Sequence, residues 1–333
     1  MTSISSNVSI AAFVRTSLKF DPQESVALVL CNEQSVVVTI RVDLHSMGNE
    51  TQWASSIGNV LGKISADHAI DATVLVAYDE LGTFKGAKHD ALIEVLENAG
   101  APVQRTVLVA NGKIMNYHGD GTDAVPYSEV ETQPIALMGM LNGKNPLRAK
   151  DIEHCEETSA EVQDIAEARM AEMIRMGETL EEIAPKIGHE MATQIAIYCE
   201  AGEVTTEIAG WLAGTFSMKM GRDMAVLALA GTATDKEGIA DFLIGDRVVE
   251  DRKILEIGHE MLFEALAYIA GRARTNILCA VAWAHWTQGN STEAMATLTE
   301  ARELEPDHKL ANQFVTLIAR GKVAKTSLVK PEK

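Results

Sequence analysis

Two short apolar runs near the start of the chain constrain its fold more than any other feature. They span residues 25–31 and 35–44, and only Asn32, Glu33 and Gln34 separate them. Valine, isoleucine, leucine and threonine dominate both runs, and β-branched residues favour the pleated, half-buried surface of a strand. A three-residue polar break between two such runs predicts a β-hairpin, so the first part of the chain is predicted to contain a sheet.

Strand and helix patterns alternate through the first half of the chain. Periodicity predicts helices at residues 4–17, 51–64 and 87–98, and strands at residues 72–78 and 103–110. Asn111 and Gly112 form the strongest local signal, because both tolerate the positive φ that a type I′ turn demands. Residues 113–117 are therefore expected to run back antiparallel to the strand before them. These patterns indicate an N-terminal α/β domain with a mixed sheet at residues 1–145.

From about residue 135 onward the strand signals vanish, and the spacing of apolar residues is helical throughout. Helices are predicted at residues 135–142, 157–176, 179–201, 203–216, 220–230, 236–243, 251–271, 275–288, 291–304 and 308–320. Glycine and proline at residues 143–146 mark the natural boundary. We therefore expect an all-α domain at residues 146–321 and a flexible basic tail at residues 322–333.

One pair of these predicted helices carries a repeat pattern. The spacing of a tetratricopeptide unit is matched by Trp286, Gly289, Glu293, Ala294, Leu298, Ala301, Leu304 and Pro306. In such a unit a glycine makes the turn between the helices, and small alanines let them approach closely. The chain has no tandem copies, and one repeat cannot bury its own apolar face. We therefore expect a single tetratricopeptide-like hairpin at the end of the helical domain.

The chain is strongly acidic, with a net charge of −18 and an isoelectric point near 4.9. Its lysines and arginines form no basic stripe with interleaved aromatic residues. Because neutralisation of phosphates supplies most nucleic-acid affinity, we expect no nucleic-acid partner, and the same charge disfavours an anionic membrane. No apolar run approaches the ~20 residues that span a bilayer, and no signal peptide is evident. We therefore expect a cytoplasmic protein.

The motifs that carry common chemistries are absent from the sequence. The four cysteines, Cys31, Cys155, Cys199 and Cys279, stand far apart and are expected to be reduced core thiols. There is no phosphate-binding GxxxxGK[ST] motif and no GxSxG nucleophile elbow. The pairs at 189–190 and 259–260 begin like HExxH but lack its second histidine, which favours ordinary helix hydrogen bonds. We therefore expect no catalytic residue, no metal and no cofactor.

Polar residues at two strand ends are the candidate ligand site. One predicted strand ends in Arg41, Asp43 and His45, and another ends in Tyr78, Asp79 and Glu80. Ligands of α/β sheets bind outside the carboxyl edge, so these side chains would converge if the two strands lay side by side and parallel. The simpler interpretation is that strands end in polar residues because the loops that follow them are exposed to solvent. Arg222-Asp223 is interpreted as structural, through a helix cap or an ion pair.

The order of these features resembles the actinobacterial family DUF4192, a domain of unknown function. Its opening is similar to residues 25–30, 39–44 and the strand that ends at Tyr78, and its middle is similar to Gly221-Arg-Asp223. Its C-terminal end resembles Asn276-Ile-Leu278, Trp286, Gly289, Ala294, Ala301, Pro306, Leu310 and Ala311. Many members share a cysteine-containing stretch after the second hairpin, which residues 117–126 here lack. The resemblance implies relatives in actinobacteria and their phages, and it implies no activity.

The lack of catalytic motifs and the helical C-terminal half favour a non-catalytic cytoplasmic protein. Such a protein would act through protein–protein contacts and self-associate as a homo-oligomer. One alternative is a small-ligand-binding protein or an enzyme that uses Arg41, Asp43, Tyr78 and Asp79. A further alternative is an actinophage structural or accessory protein, which would lie in the host cytoplasm. All three interpretations are compatible with the sequence.

Overall fold

A computed structural model of the protein divides into two compact units, Met1–Pro146 and Leu147–Lys333. The structure describes residues 6–18, 21–32, 35–44, 50–67, 69–84, 86–136, 147–176, 180–231 and 236–329. Within these residues, the first unit contains the strands and the second is helical.

The first unit is built on six strands. They are β1 (Ser25–Asn32), β2 (Ser35–Asp43), β3 (Ala72–Tyr78), β4 (Val103–Ala110), β5 (Lys113–Asn116) and β6 (Val125–Pro126). They form one sheet in the order β2-β1-β3-β4-β5-β6, in which β1 is antiparallel to both neighbours and β3 is parallel to β4. This sheet and the helical unit that follows it confirm the predicted fold class.

The predicted turn at Asn111 and Gly112 is present. The two residues have φ angles of 51° and 65°, and Lys113 pairs with Ala110 at the start of an antiparallel ladder. Positive φ at both central residues is the mark of a type I′ turn, whose twist matches that of the flanking strands. The hairpin of β4 and β5 is therefore confirmed.

Helices pack on the sheet of the first unit. The face formed by alternate residues such as Val29 and Val76 is covered by α1 (Asn7–Leu18). Two further helices, α2 (Glu50–Asp67) and α3 (Ala87–Asn98), pack against each other, and α3 contacts β4. Leu28 and Leu75 point to the opposite face from Val29 and Val76 and are also fully buried. A strand buried on both faces needs apolar residues at every position, which explains the continuous apolar run of β3.

The first helix begins slightly later than predicted. The Ser6 hydroxyl accepts the backbone N–H of Ser9 at 3.0 Å, which is the contact of an N-terminal cap. The cap fixes Asn7 as the first helical residue. Residues 4 and 5 of the predicted helix lie outside the described residues.

The second unit consists of consecutive helices in the part that the structure describes. They are α4 (Ala160–Arg175), α5 (Leu180–Ala201), α6 (Thr206–Ser217), α7 (Lys219–Ala230), α8 (Lys236–Leu243), α9 (Arg252–Ala265), α10 (Gly271–Thr287), α11 (Ser291–Leu304), α12 (Lys309–Ala319) and α13 (Lys325–Leu328). One core with Phe216, Trp283 and Trp286 runs through them. The side chains of Ser159, Thr205 and Asp251 accept N–H groups in the first turns of α4, α6 and α9, and so set where these helices begin.

The predicted helix at residues 251–271 is shorter in the structure. α9 ends at Ala265, and α10 starts at Gly271, whose φ of 66° suits a residue without a side chain. The Arg274 guanidinium donates to the carbonyls of Leu266 and Ile269, and so replaces the helical partners that these groups lack. A buried arginine in the following helix therefore sets the end of α9. The spacing of apolar residues could not predict this, because it carries no information about polar contacts.

Residues 322–329, expected to begin a flexible tail, are packed against the helical unit. Trp286 Nε1 donates to the Lys322 carbonyl at 3.0 Å, and the Thr326 hydroxyl accepts the Val249 N–H at 2.9 Å. Ala324 and Thr326 are buried at the start of α13. These contacts hold the segment in place. Residues 330–333 of the expected tail lie outside the described residues.

The predicted tetratricopeptide-like pair corresponds to α10 and α11. Gly289 lies in the turn between them with a φ of 88°, a conformation that favours glycine. On α11, Ala294, Leu298 and Ala301 are fully buried, and the helix packs against α10. The two helices form a closely packed consecutive pair, and their likeness to a tetratricopeptide unit stays a prediction.

Candidate functional site

The predicted ligand residues lie at the same end of the sheet, where β2 and β3 finish, but β1 separates the two strands. Ser25 of β1 pairs with Asp43 of β2 on one side and with Tyr78 of β3 on the other. β2 and β3 therefore run in the same direction yet lie two strand spacings apart, about 10 Å. The two strands are parallel but not side by side, so the condition for convergence is met only in part. His45 lies outside the described residues.

Arg41 and Asp43 are engaged with each other and with the preceding loop. Arg41 Nη2 lies 2.5 Å from Asp43 Oδ1 and donates to the Gln23 carbonyl at 3.1 Å. The Arg41 side chain is only 10% exposed, so its charge needs the neighbouring carboxylate and carbonyl to offset the loss of hydration. These contacts join the end of β2 to the segment that leads into β1.

Asp79 and Glu80 close the loops that follow β3 and β4. Asp79 is buried, and its carboxylate accepts the N–H groups of Thr83 at 2.6 Å and Phe84 at 2.9 Å. Glu80 accepts the N–H of Asn111 at 2.5 Å, in the turn between β4 and β5. Both carboxylates bind backbone donors that tight loops cannot pair among themselves. Their roles in the structure are therefore those of loop anchors.

Tyr78 lies in the core beneath α1. Burial raises the pKa of its hydroxyl well above the usual value, and the nearby Tyr127 and Asp21 raise it further. Tyr127 donates to Asp21 Oδ1 at 2.9 Å, and Arg15 Nε lies 2.9 Å from the same oxygen. A phenol with so high a pKa stays protonated near neutral pH and does not act as a general base.

The described sheet contains one parallel pair, β3 and β4. Doubly wound sheets bind ligands where successive parallel crossovers leave on opposite faces, which opens a crevice at the carboxyl edge. Two crossovers occur here, through α2 between β2 and β3 and through α3 between β3 and β4, but the two helices pack against each other on one face and so create no such point. The polar residues of this edge therefore border loops rather than a crevice between helices.

β2 forms one edge of the sheet, and no described strand pairs with its outer side. Six of its nine residues, SVVVTIRVD, are β-branched. Its seven central residues are half-buried, whereas the first six residues of β1 are buried. The register shifts between Leu30 and Cys31, which leaves Val37 as a bulge and a regular ladder from Val38 onward. β2 thus presents an apolar strand edge.

A buried polar network joins four helices of the second unit. Arg222 on α7 donates through Nη1 to Asn276 Oδ1 at 3.0 Å, and Asn276 Nδ2 donates to the Phe216 carbonyl of α6 at 2.7 Å. His308 Nε2 also lies 3.0 Å from the Asn276 oxygen, and its Nδ1 caps the start of α12. Arg222 and Asn276, from two segments that carry the resemblance described above, therefore meet in the core.

The sequence reasoning missed a cysteine, histidine and asparagine that meet in this network. Cys279 Sγ lies 3.6 Å from His308 Nδ1, and His308 Nε2 lies 3.0 Å from Asn276 Oδ1, which is the order of a cysteine-protease triad. Burial, however, raises the pKa of Cys279 to about 12 and lowers the pKa of His308. A catalytic pair needs a thiolate beside an imidazolium, so both shifts oppose catalysis. The spacing of the three residues carries no signal, because the contact depends on how α10 and α12 pack.

The four cysteines are free, but they are not all core thiols as expected. Cys279 is buried, Cys31 and Cys155 are half-buried, and Cys199 is exposed on α5. Burial raises the pKa of Cys31, and the charge of Asp71 raises it further. The expectation therefore holds fully for Cys279 alone.

Neither a metal cluster nor a membrane span occurs in the part of the chain that the structure describes. Its histidines, cysteines and carboxylates nowhere form a group of three that could hold a metal ion. None of its helices combines the length and the apolar character needed to cross a bilayer.

A surface pocket of about 640 Å³ lies beside α4 and α6. Its lining combines the apolar Ile165, Ala168, Met176 and Trp211 with the charged Arg169, Glu172 and Arg175. The Arg169 side chain is 4% exposed, and its guanidinium carbon lies 5.2 Å above the Trp211 ring. The guanidinium also pairs with Glu172 at 2.7 Å and with Glu190. Arg169 is therefore a fixed part of the wall.

Two glycines let α4 and α6 approach closely beside this pocket. A Cβ on Gly214 would lie 2.6 Å from the Ala166 carbonyl oxygen and from Arg169 Cβ, and a Cβ on Gly210 would lie 2.5 Å from Ile165. Real side chains do not reach such distances, so both positions require glycine at this helix spacing. The close approach holds Arg169 against the Trp211 ring.

One match to a known protein family covers nearly the whole chain. Residues 11–322 match the family model described as Domain of unknown function (DUF4192). A search of the curated proteins found no match, and a search of the solved structures found none either. The matched residues include the β2 edge, the buried polar network and the pocket.

Proposed function

The chain belongs to the DUF4192 family of domains of unknown function, and we propose that it is a non-catalytic protein that self-associates through the β2 edge. A second copy would add its own β2 antiparallel to the first, about a two-fold axis. The apolar edge of β2 is the observation that carries this proposal. We also propose a cytoplasmic location, since free thiols persist in reducing compartments.

The composition of β2 supports pairing with another strand. Natural proteins protect edge strands by keeping them short or by placing lysine or proline in them. β2 spans nine residues and contains neither lysine nor proline. The Val37 bulge protects one end, and the regular ladder from Val38 onward offers straight backbone to a partner. The half-buried valines would lose further exposed area on pairing.

The charge of β2 also supports a second copy as the partner. A net charge of −18 makes two chains repel each other. β2 contributes one positive and one negative residue, Arg41 and Asp43, so this edge is neutral within an acidic chain. Salt screens the repulsion between the remaining charges, so self-association is expected to strengthen as ionic strength rises.

The alternative of a ligand site at the strand ends has weaker support. Arg41, Asp79 and Glu80 each make a contact that anchors a loop, and Tyr78 lies in the core. A ligand would have to displace these contacts before binding.

Light scattering during size-exclusion chromatography tests the proposal on the full chain. At about 100 µM we expect a species of twice the 36.0 kDa chain mass, and a larger dimer fraction at higher salt. Thr39→Lys places a positive charge in the middle of β2 in both copies, so this variant should be monomeric. Thr299→Lys adds the same charge at an exposed position of α11 and should leave the mass unchanged.

Two results would contradict the proposal. A monomeric wild-type chain at every concentration and salt would exclude self-association. A dimer that Thr39→Lys leaves intact would show that the interface is not β2. Circular dichroism of both variants establishes that each retains the fold.

A further inference from the structure

We propose that the pocket beside α4 and α6 binds a small monocarboxylate with an apolar body, a function separate from self-association through β2. The pocket of about 640 Å³ lies within the roughly 300–1,000 Å³ typical of small-ligand sites. Four of its lining residues, Ile165, Ala168, Met176 and Trp211, are apolar. An apolar wall with few charged groups is the usual composition of such sites.

Arg175 is the residue that would bind the carboxylate. Its Nε donates to the Ala171 carbonyl at 3.0 Å, which orients the guanidinium along α4. No carboxylate in the described residues lies within ion-pair distance of its two terminal nitrogens. The two parallel donors of an arginine match the two oxygens of a carboxylate. Arg175 is exposed, so an anionic ligand would replace the water that solvates its terminal nitrogens.

Arg169 directs the ligand to Arg175 rather than binding it. Two carboxylates, from Glu172 and Glu190, already share the Arg169 guanidinium, and its Nε donates to Thr215 Oγ1 at 3.2 Å. An anion placed on Arg169 would face both glutamates at close range. The guanidinium instead holds the Trp211 ring in place, and the ring forms part of the apolar wall.

The same charges predict selection among ligands of equal length. A neutral alcohol would contact the apolar wall but would gain no ion pair with Arg175. An alkylamine would be repelled by Arg175, and Glu172 is already held by Arg169 at 2.7 Å. The carboxylate is therefore expected to bind with higher affinity than either the alcohol or the amine.

Isothermal titration of the full chain with octanoate, octan-1-ol and octylamine at neutral pH tests this proposal. We expect octanoate to bind at least about tenfold more tightly than either competitor, as a charge-assisted bidentate pair allows. Arg175→Gln should weaken octanoate binding at least about fivefold and leave octanol binding unchanged. Ala168→Phe fills the pocket from an exposed position and should abolish binding of octanoate. Arg302→Gln removes an exposed arginine of α11 and serves as the matched control.

Three results would overturn the proposal. They are the absence of octanoate binding at millimolar concentration, equal affinities for octanoate and octanol, and unchanged octanoate binding by Arg175→Gln. Thermal unfolding followed by tryptophan fluorescence establishes that each variant is folded. The selectivity of the wild-type chain decides the outcome even where a variant fails to fold.

Discussion

Polar side chains stabilise the sheet unit and the helical unit in different ways. Asp79 and Glu80 bind backbone N–H groups of short loops at the sheet edge. Asn276 instead joins Arg222, His308 and the α6 backbone, which are groups from separate helices. Loss of a loop anchor affects one loop, whereas loss of Asn276 leaves buried partners unpaired in several helices. Loss of a buried polar side chain is therefore expected to destabilise the helical unit more than the sheet unit.

Replacement of Asn276 is expected to have the largest effect. Asn276→Ala leaves the Arg222 guanidinium, the His308 ring and the Phe216 carbonyl without their shared partner in the core. Buried groups left unpaired in this way cost about 3 kcal/mol in the free energy of unfolding. Urea unfolding followed by tryptophan fluorescence measures the loss.

Asn312→Ala is the matched control for Asn276. Its side chain donates to the Pro306 carbonyl at 3.0 Å in an exposed setting, so the loss should stay below about 1 kcal/mol. Equal losses for the two asparagines would show that the buried network contributes no more than a surface hydrogen bond.

Two glycines of the helical unit should respond to the same substitution with opposite signs. Gly214→Ala forces a Cβ within 2.6 Å of the Ala166 carbonyl oxygen, and the strain should lower the free energy of unfolding by about 2 kcal/mol. Gly188→Ala on α5 meets no atom within 4 Å and should raise it by up to about 1 kcal/mol through helix propensity. Urea unfolding of both variants measures the difference. A stabilised Gly214→Ala chain would contradict the close approach of α4 and α6.

A loop anchor of the sheet unit should matter less than Asn276. Asp79→Ala leaves the N–H groups of Thr83 and Phe84 without their acceptor, which should cost about 2 kcal/mol in the free energy of unfolding. Asp120 makes the same kind of contact with Thr122 in an exposed loop. Because water can replace Asp120, Asp120→Ala should cost clearly less. Urea unfolding measures both variants. Equal losses of unfolding free energy in Asp79→Ala and Asp120→Ala would show that burial of Asp79 does not increase its contribution to stability.

The smallest expected effect is a dependence of stability on pH. Burial lowers the pKa of His308 below its usual value of 6.5, so below that pH the unfolded chain takes up a proton more readily than the folded chain. The contribution of His308 to the free energy of unfolding is therefore present above 6.5 and falls as pH drops beneath it. His308→Asn keeps a capping residue and removes this titration. The stability gap between wild type and variant should narrow from about pH 7 to about pH 5.5, and a constant gap would contradict the shift.

Elements set by neighbouring residues could be predicted from the sequence, whereas strand order could not. β-Branched residues and the short polar break predict the hairpin of β1 and β2, and Asn111-Gly112 predicts the next turn through its positive φ. Nothing within residues 25–32 indicates which strand pairs with the second edge of β1. That pairing placed β1 between the two strands expected to form a ligand site.

The polar residues of the core were predictable only where sequence neighbours interact. Arg222 pairs with Asp223 at 2.6 Å, as the structural interpretation of that dipeptide implies. Asn276 and His308 carry no such signal, because their partners come from helices far apart in the sequence. The Arg169 pocket was missed for the same reason, since Trp211 and Glu190 lie on other helices.

The position of β3 determines the order in which the strands of this sheet can pair during folding. Only two residues separate β1 from β2, and a two-residue turn joins β4 to β5, whereas β3 has no hairpin partner and pairs with one member of each hairpin. Hairpins form within about 1–10 µs, but β3 must first close loops that include α2 and α3. We expect docking of β3 between the two hairpins to limit the folding rate of this unit. Val76→Ala should therefore slow refolding more than an equally destabilising change in β5.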